Sequence, residues 1–467
     1  MKAQKYTRSV AINMVIANMI GTGIFTSLGF QLDPVFGIPD GFAIIVIWIL
    51  GGIIALCGAT VYGEIATTIN KSGGEYAFLS ELYHPLLGFI SGWVSILVGF
   101  SAAIAMLGLA VGEYFLPLIG VSGDFKFGGI EIGKVVAFLV LLLVLLIQWQ
   151  GVKTSGKFQN YMTAIKLGLI FFFLLMPFIF GGNYEPSNNH FGADKDSWDT
   201  IFSLPFAGSL VFVLFAYSGW NASTYIVGSL ENPKRNLPYS LIVGTLIVTV
   251  LYVLLNLVFM YVSDFDDLAG QLEIGNIVAY KAMGKDWGLV FTSVLSLALI
   301  SGVNAMFIAA PRVVQEIGKD YSLFEKLGQE SKNGAPKLAL LVIFAIASIM
   351  IFTVPFNELL EFTGVTLGIF ALLTVLGVFI LRAKKKRTSN TVSSFLYPIT
   401  PIIFAGFSIW MIYFFANMKP MVLVWLLILI APAVLLYYSS GRKNNELNEE
   451  LLDDGQHDKE ANNEVDA

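Results

Sequence analysis

Residues 9–32 read SVAINMVIANMIGTGIFTSLGFQL, an apolar run with Ile20-Gly21-Thr22-Gly23-Ile24-Phe25 at its middle. The run is long enough to cross a bilayer. Glycine costs about 1 kcal/mol against alanine in a helix, so two glycines flanking a threonine permit the helix to open. An opened helix frees N–H and C=O groups that lipid cannot satisfy. Two readings fit these residues alone. The glycines let a neighbouring helix pack close, or the freed groups serve a ligand. Amides at a half-helix N-terminus attract a carboxylate, and free carbonyls attract an ammonium group.

The rest of the chain is equally apolar. Of 467 residues, 56% are hydrophobic and 13% charged, with mean hydropathy +0.74. Soluble domains carry about 25% charged residues. Too little polar surface remains to cover a globule, which excludes a water-soluble enzyme. Runs of about twenty residues, against the roughly ten of a barrel strand, exclude an outer-membrane barrel. About twelve runs stand near 9–32, 41–69, 86–118, 133–150, 158–181, 200–228, 237–262, 288–314, 337–354, 358–381, 396–416 and 420–439. The class is an all-α integral membrane protein of about twelve transmembrane helices. Lys2, Lys5 and Arg8 precede the first run with no small-residue cleavage site after it, so it reads as an uncleaved span. The single cysteine, Cys57, allows no internal disulfide. His84, His190 and His457 lie far apart, and neither a metal site nor a cofactor is expected.

Charge sets the orientation. Of 28 Lys and Arg residues, 21 fall on one set of alternate connections and six on the other. The positive-inside rule then places both termini in the cytoplasm. The basic run Arg382–Arg387 reads as a topology anchor, not a nucleic-acid site. One lysine, Lys166, falls inside a span, where insertion costs about 2.5–3.5 kcal/mol. Either it snorkels toward the inner interface past Lys157, or it is a fixed cation bonding carbonyls freed by a broken helix. Of the acids within spans, Glu113 is expected to be solvated near an outer end. Glu64 is expected to pair with a basic group.

A second interruption, Phe215-Ala216-Tyr217-Ser218-Gly219-Trp220-Asn221, occupies span six, about 197 residues after the first. Five spans separate the two, an odd number, so a five-span repeat would be inverted. Paired breaks in inverted halves point to a transporter's binding site. The chain then divides into 1–182 and 200–381 as repeats, with 183–199 an outer loop. A basic cytoplasmic loop (382–395), two extra helices (396–439) and an acidic tail read as disordered (440–467) complete it.

These motifs resemble the amino acid–polyamine–organocation superfamily of secondary transporters, over nearly the whole chain. Ile20–Phe25 resembles its first-helix break. Gly63–Leu79 (GEIATTINKSGGEYAFL) resembles its segment joining helices two and three, with Asn70 where many members have proline. Phe215–Asn221 resembles the sixth-helix break of the L-type amino acid transporter branch, and Glu231–Pro238 (ENPKRNLP) the cytoplasmic signature after it. The resemblance implies a five-plus-five inverted repeat with helices one and six broken. It implies that amides around Gly21, Thr22 and Gly23 hold an α-carboxylate, with Ile24 beside them in the substrate-binding set. Carbonyls near Met19, Ile20, Phe215 and Ser218 would take the α-ammonium. Phe215 becomes an aromatic gate, and Ala216, Tyr217, Gly219 and Trp220 complete the break. Asn221 becomes an amide steadying both broken helices. Lys166 matches a fifth-helix lysine that replaces a sodium ion, which implies sodium-independent transport. Ser301 and Asn304 on span eight are expected to face the same region.

The motif FAYSGWN holds no charged residue, so a charged substrate side chain would go unpaired at a cost of several kcal/mol. Ser218 should narrow the pocket, favouring neutral L-amino acids such as alanine, serine and threonine. Two departures from eukaryotic L-type members stand out. No acids occupy Gly228 and Ser229, and the loop Gly120–Lys134 has no cysteine for a disulfide-linked partner. The expectation is a prokaryotic-type carrier of the cell membrane, without a covalent heavy chain, working by alternating access as an exchanger or proton symporter. The competing classes are a channel, an amino acid sensor on a transporter fold and an intramembrane enzyme. No HExxH, GxSxG or paired mid-membrane carboxylates support the last.

Overall fold

The computed structural model describes residues 5–33, 37–116, 120–121, 126–127, 129–182, 184–271, 274–384, 392–418 and 420–441. The expected acidic tail past residue 441, most of the basic run after Lys384, and Lys2 and Lys419 lie outside the described residues. Helix α1 (Arg8–Met19) begins at Thr7, whose hydroxyl accepts the amide of Val10 at 3.5 Å. It stops at Ile20, and α2 (Gly23–Gln31) resumes the same span. Asp40 caps α3 (Gly41–Ile69), accepting the amide of Ala43 at 2.6 Å. Asn70 ends α3 in the left-handed region at φ 51°, a conformation asparagine tolerates.

Beyond this, α4 (Glu75–Leu82) leads to a third span made of α5 (Pro85–Val94), a π-helical stretch at Ser95–Ala102, and α6 (Ala103–Phe115). A two-stranded ribbon, β1 (Lys126–Phe127) and β2 (Ile130–Glu131), precedes α7 (Ile132–Trp149) and α8 (Val152–Phe180). Helix α9 (Lys195–Ile201) meets α10 (Leu204–Ala216) at 64°. The chain leaves α form at Ala216 and runs on as a tighter helix over Ala222–Ser229. Then come α11 (Pro233–Val262), α12 (Phe265–Leu268), α13 (Ile274–Asp320), α14 (Lys337–Thr353), α15 (Phe356–Ala383), α16 (Ile399–Met418) and α17 (Met421–Ser439).

Among the described residues, eight helices are long and apolar enough to cross a membrane. The bent pair α9–α10 and three shorter apolar helices bring the set to the twelve runs of the sequence. The protein is therefore an all-α, multi-pass membrane protein. Two spans differ from expectation. Span six breaks at Ala216 as expected, but it also bends by 64° before Leu204, which the sequence reading does not anticipate. The helical stretch of span eight begins at Ile274, ahead of residue 288, and is interrupted at Gly284, whose φ of 75° no helix accommodates.

The core gathers around α1, α3, α11 and α13, with α2 against α10. Exposed leucines at 139, 143 and 146 on α7, and Phe171 and Phe178 on α8, face outward. Helices apolar on both sides are what a membrane interior requires. Glu64 on α3 is fully buried, and the expected basic partner is Arg382 at the end of α15. Its Nε lies 2.9 Å from one carboxylate oxygen and a terminal nitrogen 2.6 Å from the other. The amide of Ser394 adds a third bond at 2.7 Å. Removing one partner of a buried pair leaves an uncompensated charge, at about 3–5 kcal/mol. Because Arg382 keeps some solvent contact and Glu64 has none, R382L should lower thermal stability in detergent more than E64Q. Melting curves of both variants check that order.

Candidate functional site

The two helix breaks touch. A Cβ on Gly23, the first residue of α2, would lie 2.7 Å from the Cα of Ala216, the last residue of α10. Gly219, at φ 93°, abuts Asn18, where an added Cβ would come within 2.9 Å of the backbone. Close packing of small residues and helix opening are therefore not alternatives here. Gly23 serves the first, while Gly21 has only Leu107 as a neighbour, at 3.5 Å.

Protein donors satisfy part of the freed backbone. Lys166, only 2% exposed, reaches from α8 to the carbonyls of Ile20 at 2.5 Å and Ala17 at 3.3 Å. It does not snorkel. The hydroxyl of Tyr252 on α11 bridges both breaks, donating toward the carbonyls of Met19 at 2.5 Å and Ala216 at 3.0 Å. The amide of Gly21 turns back to Met19, and that of Ser218 to Phe215. Among the described residues, the amides of Thr22, Gly23 and Ile24 have no acceptor, and the carbonyls of Asn18, Tyr217 and Ser218 have no donor. The breaks thus retain free donors on span one and free acceptors on both spans.

These groups border a cavity of about 140 Å³. Met19, Gly21, Thr22 and Gly23 line it from span one, and every residue from Phe215 to Asn221 from span six. The π-helical stretch contributes Ser95, Gly99 and Phe100, and Met106, Met306, Leu367 and Phe404 supply apolar wall. Ile20 and Ile24 are fully buried and not part of the lining.

The sequence profile described as amino acid permease matches residues 8–441. The chain belongs to the amino acid permease family. It is 28% identical over 400 residues to the serine/threonine exchanger SteT of Bacillus subtilis (strain 168), covering 84% of this chain and 86% of that protein. The b(0,+)-type amino acid transporter 1 of Mus musculus is 28% identical over 409 residues, covering 85% and 80%. The large neutral amino acids transporter small subunit 2 of Mus musculus is 28% identical over 405 residues, covering 85% and 74%. This permease is an amino acid transporter and not an enzyme.

The structure corrects several residue placements in the permease. Ser301 is fully buried, donates to the carbonyl of Ala298 at 2.8 Å, and does not line the cavity. Asn304 also faces away from it. Its amide donates to Gln159 at 2.8 Å, and its oxygen accepts from Gln148 at 2.8 Å. Among the described residues, Asn221 makes no hydrogen bond to span one. It donates to Glu75 at 2.7 Å. Of the carbonyls expected to take an ammonium, those of Met19, Ile20 and Phe215 already accept protein donors.

Glu75, which sequence reading passed over, lines the cavity and is 4% exposed. Tyr62 donates to it at 2.9 Å and Tyr225 at 2.5 Å. Gly74, at φ 57°, sets it there, because a Cβ would strike the Tyr225 ring. The GGEY step was the available signal. Tyr252 and Asn18, also passed over, carry no composition signal in an apolar helix. Overpacking costs about 1–3 kcal/mol. Accordingly, G23A should lose uptake and stability by forcing Ala216 away, while G21A should keep both near normal. Reconstituted uptake and melting temperature, read side by side, test the contrast.

Proposed function

We propose that this permease carries small neutral L-amino acids, alanine, serine and threonine among them, across the cell membrane by alternating access. The observation that carries the reading is the cavity between the breaks, whose lining includes Thr22 and Gly23, with unpaired amides, and Tyr217 and Ser218, with unpaired carbonyls. A zwitterion satisfies both sets with its carboxylate and ammonium. Cavity size supports a small side chain. Drug-sized ligands fill about 300–1,000 Å³, and this cavity holds about 140 Å³. The relatives' names span serine and threonine to large neutral amino acids, so size is argued from the site, with Ser218 as the filter.

The charge preference follows from the lining. Its one ionisable acid or base, Glu75, is engaged by three protein donors. An anionic side chain finds no cation there, and a cationic one must displace existing bonds. Sodium independence rests on Lys166. Its ammonium already bonds the carbonyls of Ala17 and Ile20, and a second cation beside it would be repelled.

The two five-span sets, 1–182 and 200–381, are read as inverted repeats, each opening with its broken span. Spans one, two, six and seven rock against the others. An empty site leaves its amides unpaired, which favours return with a second amino acid and hence exchange. Both termini are assigned to the cytoplasm from lysine and arginine placement. No disulfide-linked heavy chain is assigned, because Cys57 is the chain's single cysteine and is buried.

Liposome uptake of labelled serine or alanine, competed by each of the twenty amino acids with and without a pH gradient, tests the whole reading. Saturable uptake blocked by small neutral amino acids is expected. Ion current without saturation indicates a channel, and binding without flux a sensor. Uptake stimulated by an inward proton gradient without internal amino acid replaces exchange with symport. Swapping sodium for choline should leave uptake unchanged; a strict sodium requirement defeats the role given to Lys166. S218G should admit leucine or phenylalanine, and an unchanged range removes Ser218 as the filter.

A further inference from the structure

Away from the breaks, the inner ends of α1 and α8 enclose a second concavity of about 370 Å³. Lys5, Lys153 and Lys157 line it, with Tyr6, Thr7 and Asn160. No aspartate or glutamate among the described residues lines it. Among the described residues, none of the three lysines makes an ion pair. A hydrogen bond from Asn13 to Asn160 at 2.8 Å ties the two helices at its edge.

Three like charges gathered on one concavity repel each other unless an anion joins them. The helix axes add to the same field. Both α1 and α8 begin at this pocket, so the positive ends of two helix dipoles face it alongside the lysines. All three lysines are exposed, and all three line the one hollow between these elements. Oxygen-rich anions with delocalised charge, phosphate above all, suit such a site.

The surroundings favour a lipid as the source of that phosphate. On α8, Tyr161, Ile165 and Phe172 follow Lys157 at helical spacing. They are 70%, 43% and 37% exposed, a continuous apolar stripe leading out of the pocket into the membrane. We propose that the pocket binds the phosphate headgroup of an anionic lipid of the inner leaflet, its acyl chain lying along this stripe. Bound there, the lipid joins α1 to α8, the same two helices that Lys166 connects deeper in the membrane. The site is independent of which amino acid the permease carries.

The test is native mass spectrometry of the full chain in detergent, offered phosphatidylglycerol or phosphatidylcholine. The wild type should retain phosphatidylglycerol preferentially. K153Q/K157Q should weaken that retention about 30-fold, the loss expected for two cations at a membrane surface, and K153R/K157R should restore it. The outer-side pair K126Q/K195Q controls for net charge and should retain the lipid. Equal retention of both lipids, undiminished retention in K153Q/K157Q, or equal loss in the control overturns the proposal. Inorganic phosphate is the second probe. Displacement of phosphatidylglycerol by millimolar phosphate supports a shared phosphate site, while phosphate binding in the absence of any phosphatidylglycerol binding overturns the lipid assignment.

Discussion

Every peptide group set free inside a bilayer must find a partner within the protein or in what the protein binds. The two broken helices create that debt at one place, and most of the structure around them answers it. Lys166 and Tyr252 settle four carbonyl contacts from outside the breaks. They use an ammonium and a phenol because both can be delivered on long side chains from neighbouring helices. What they leave unpaired, amides on span one and carbonyls on span six, has the polarity of an amino acid's backbone reversed. Under the proposed function, recognition of the invariant part of the substrate and repair of the fold are the same set of hydrogen bonds.

The variable part of the site is built differently. Its walls are methionine, leucine and phenylalanine, and the π-helical stretch turns Ser95 and Gly99 toward the cavity. π-helical turns are frequent at functional sites because the extra residue re-aims side chains. At one edge, Glu75 gathers Tyr62 from α3 with Asn221 and Tyr225 from the sixth span. The link between spans two and three is thus fastened to the far half of the sixth-span break. Those parts shift as one body or not until these bonds part.

Much of the fold was legible because spans need about twenty apolar residues and breaks need glycine. The runs and both interruptions follow from those two rules, and a basic partner for Glu64 follows from the cost of an unpaired charge in a span. The bend before Leu204 and the π-helical stretch do not, since neither has a compositional mark. For the site, most residues of the two motifs line one cavity, whereas Ser301 and Asn304, expected there from the resemblance, bond other residues and do not line it. Glu75 escaped notice because it lies between spans, in a segment that reads as a connection; only the positive φ of Gly74 folds it inward. Tyr252 reads as ordinary core until the carbonyls above its hydroxyl are seen to lack helical partners.

The pairing of Glu64 with Arg382 has a temporal side. The partners stand 318 residues apart, and chains grow at about 5–20 residues per second. Glu64 is therefore synthesised about 16–64 s before its arginine. During that interval the carboxyl must stay protonated, remain near water, or borrow a partner from the insertion machinery. The last basic residue of span ten closes the account, so the ion pair forms only once both five-span sets have been made and while the last two helices are still to come.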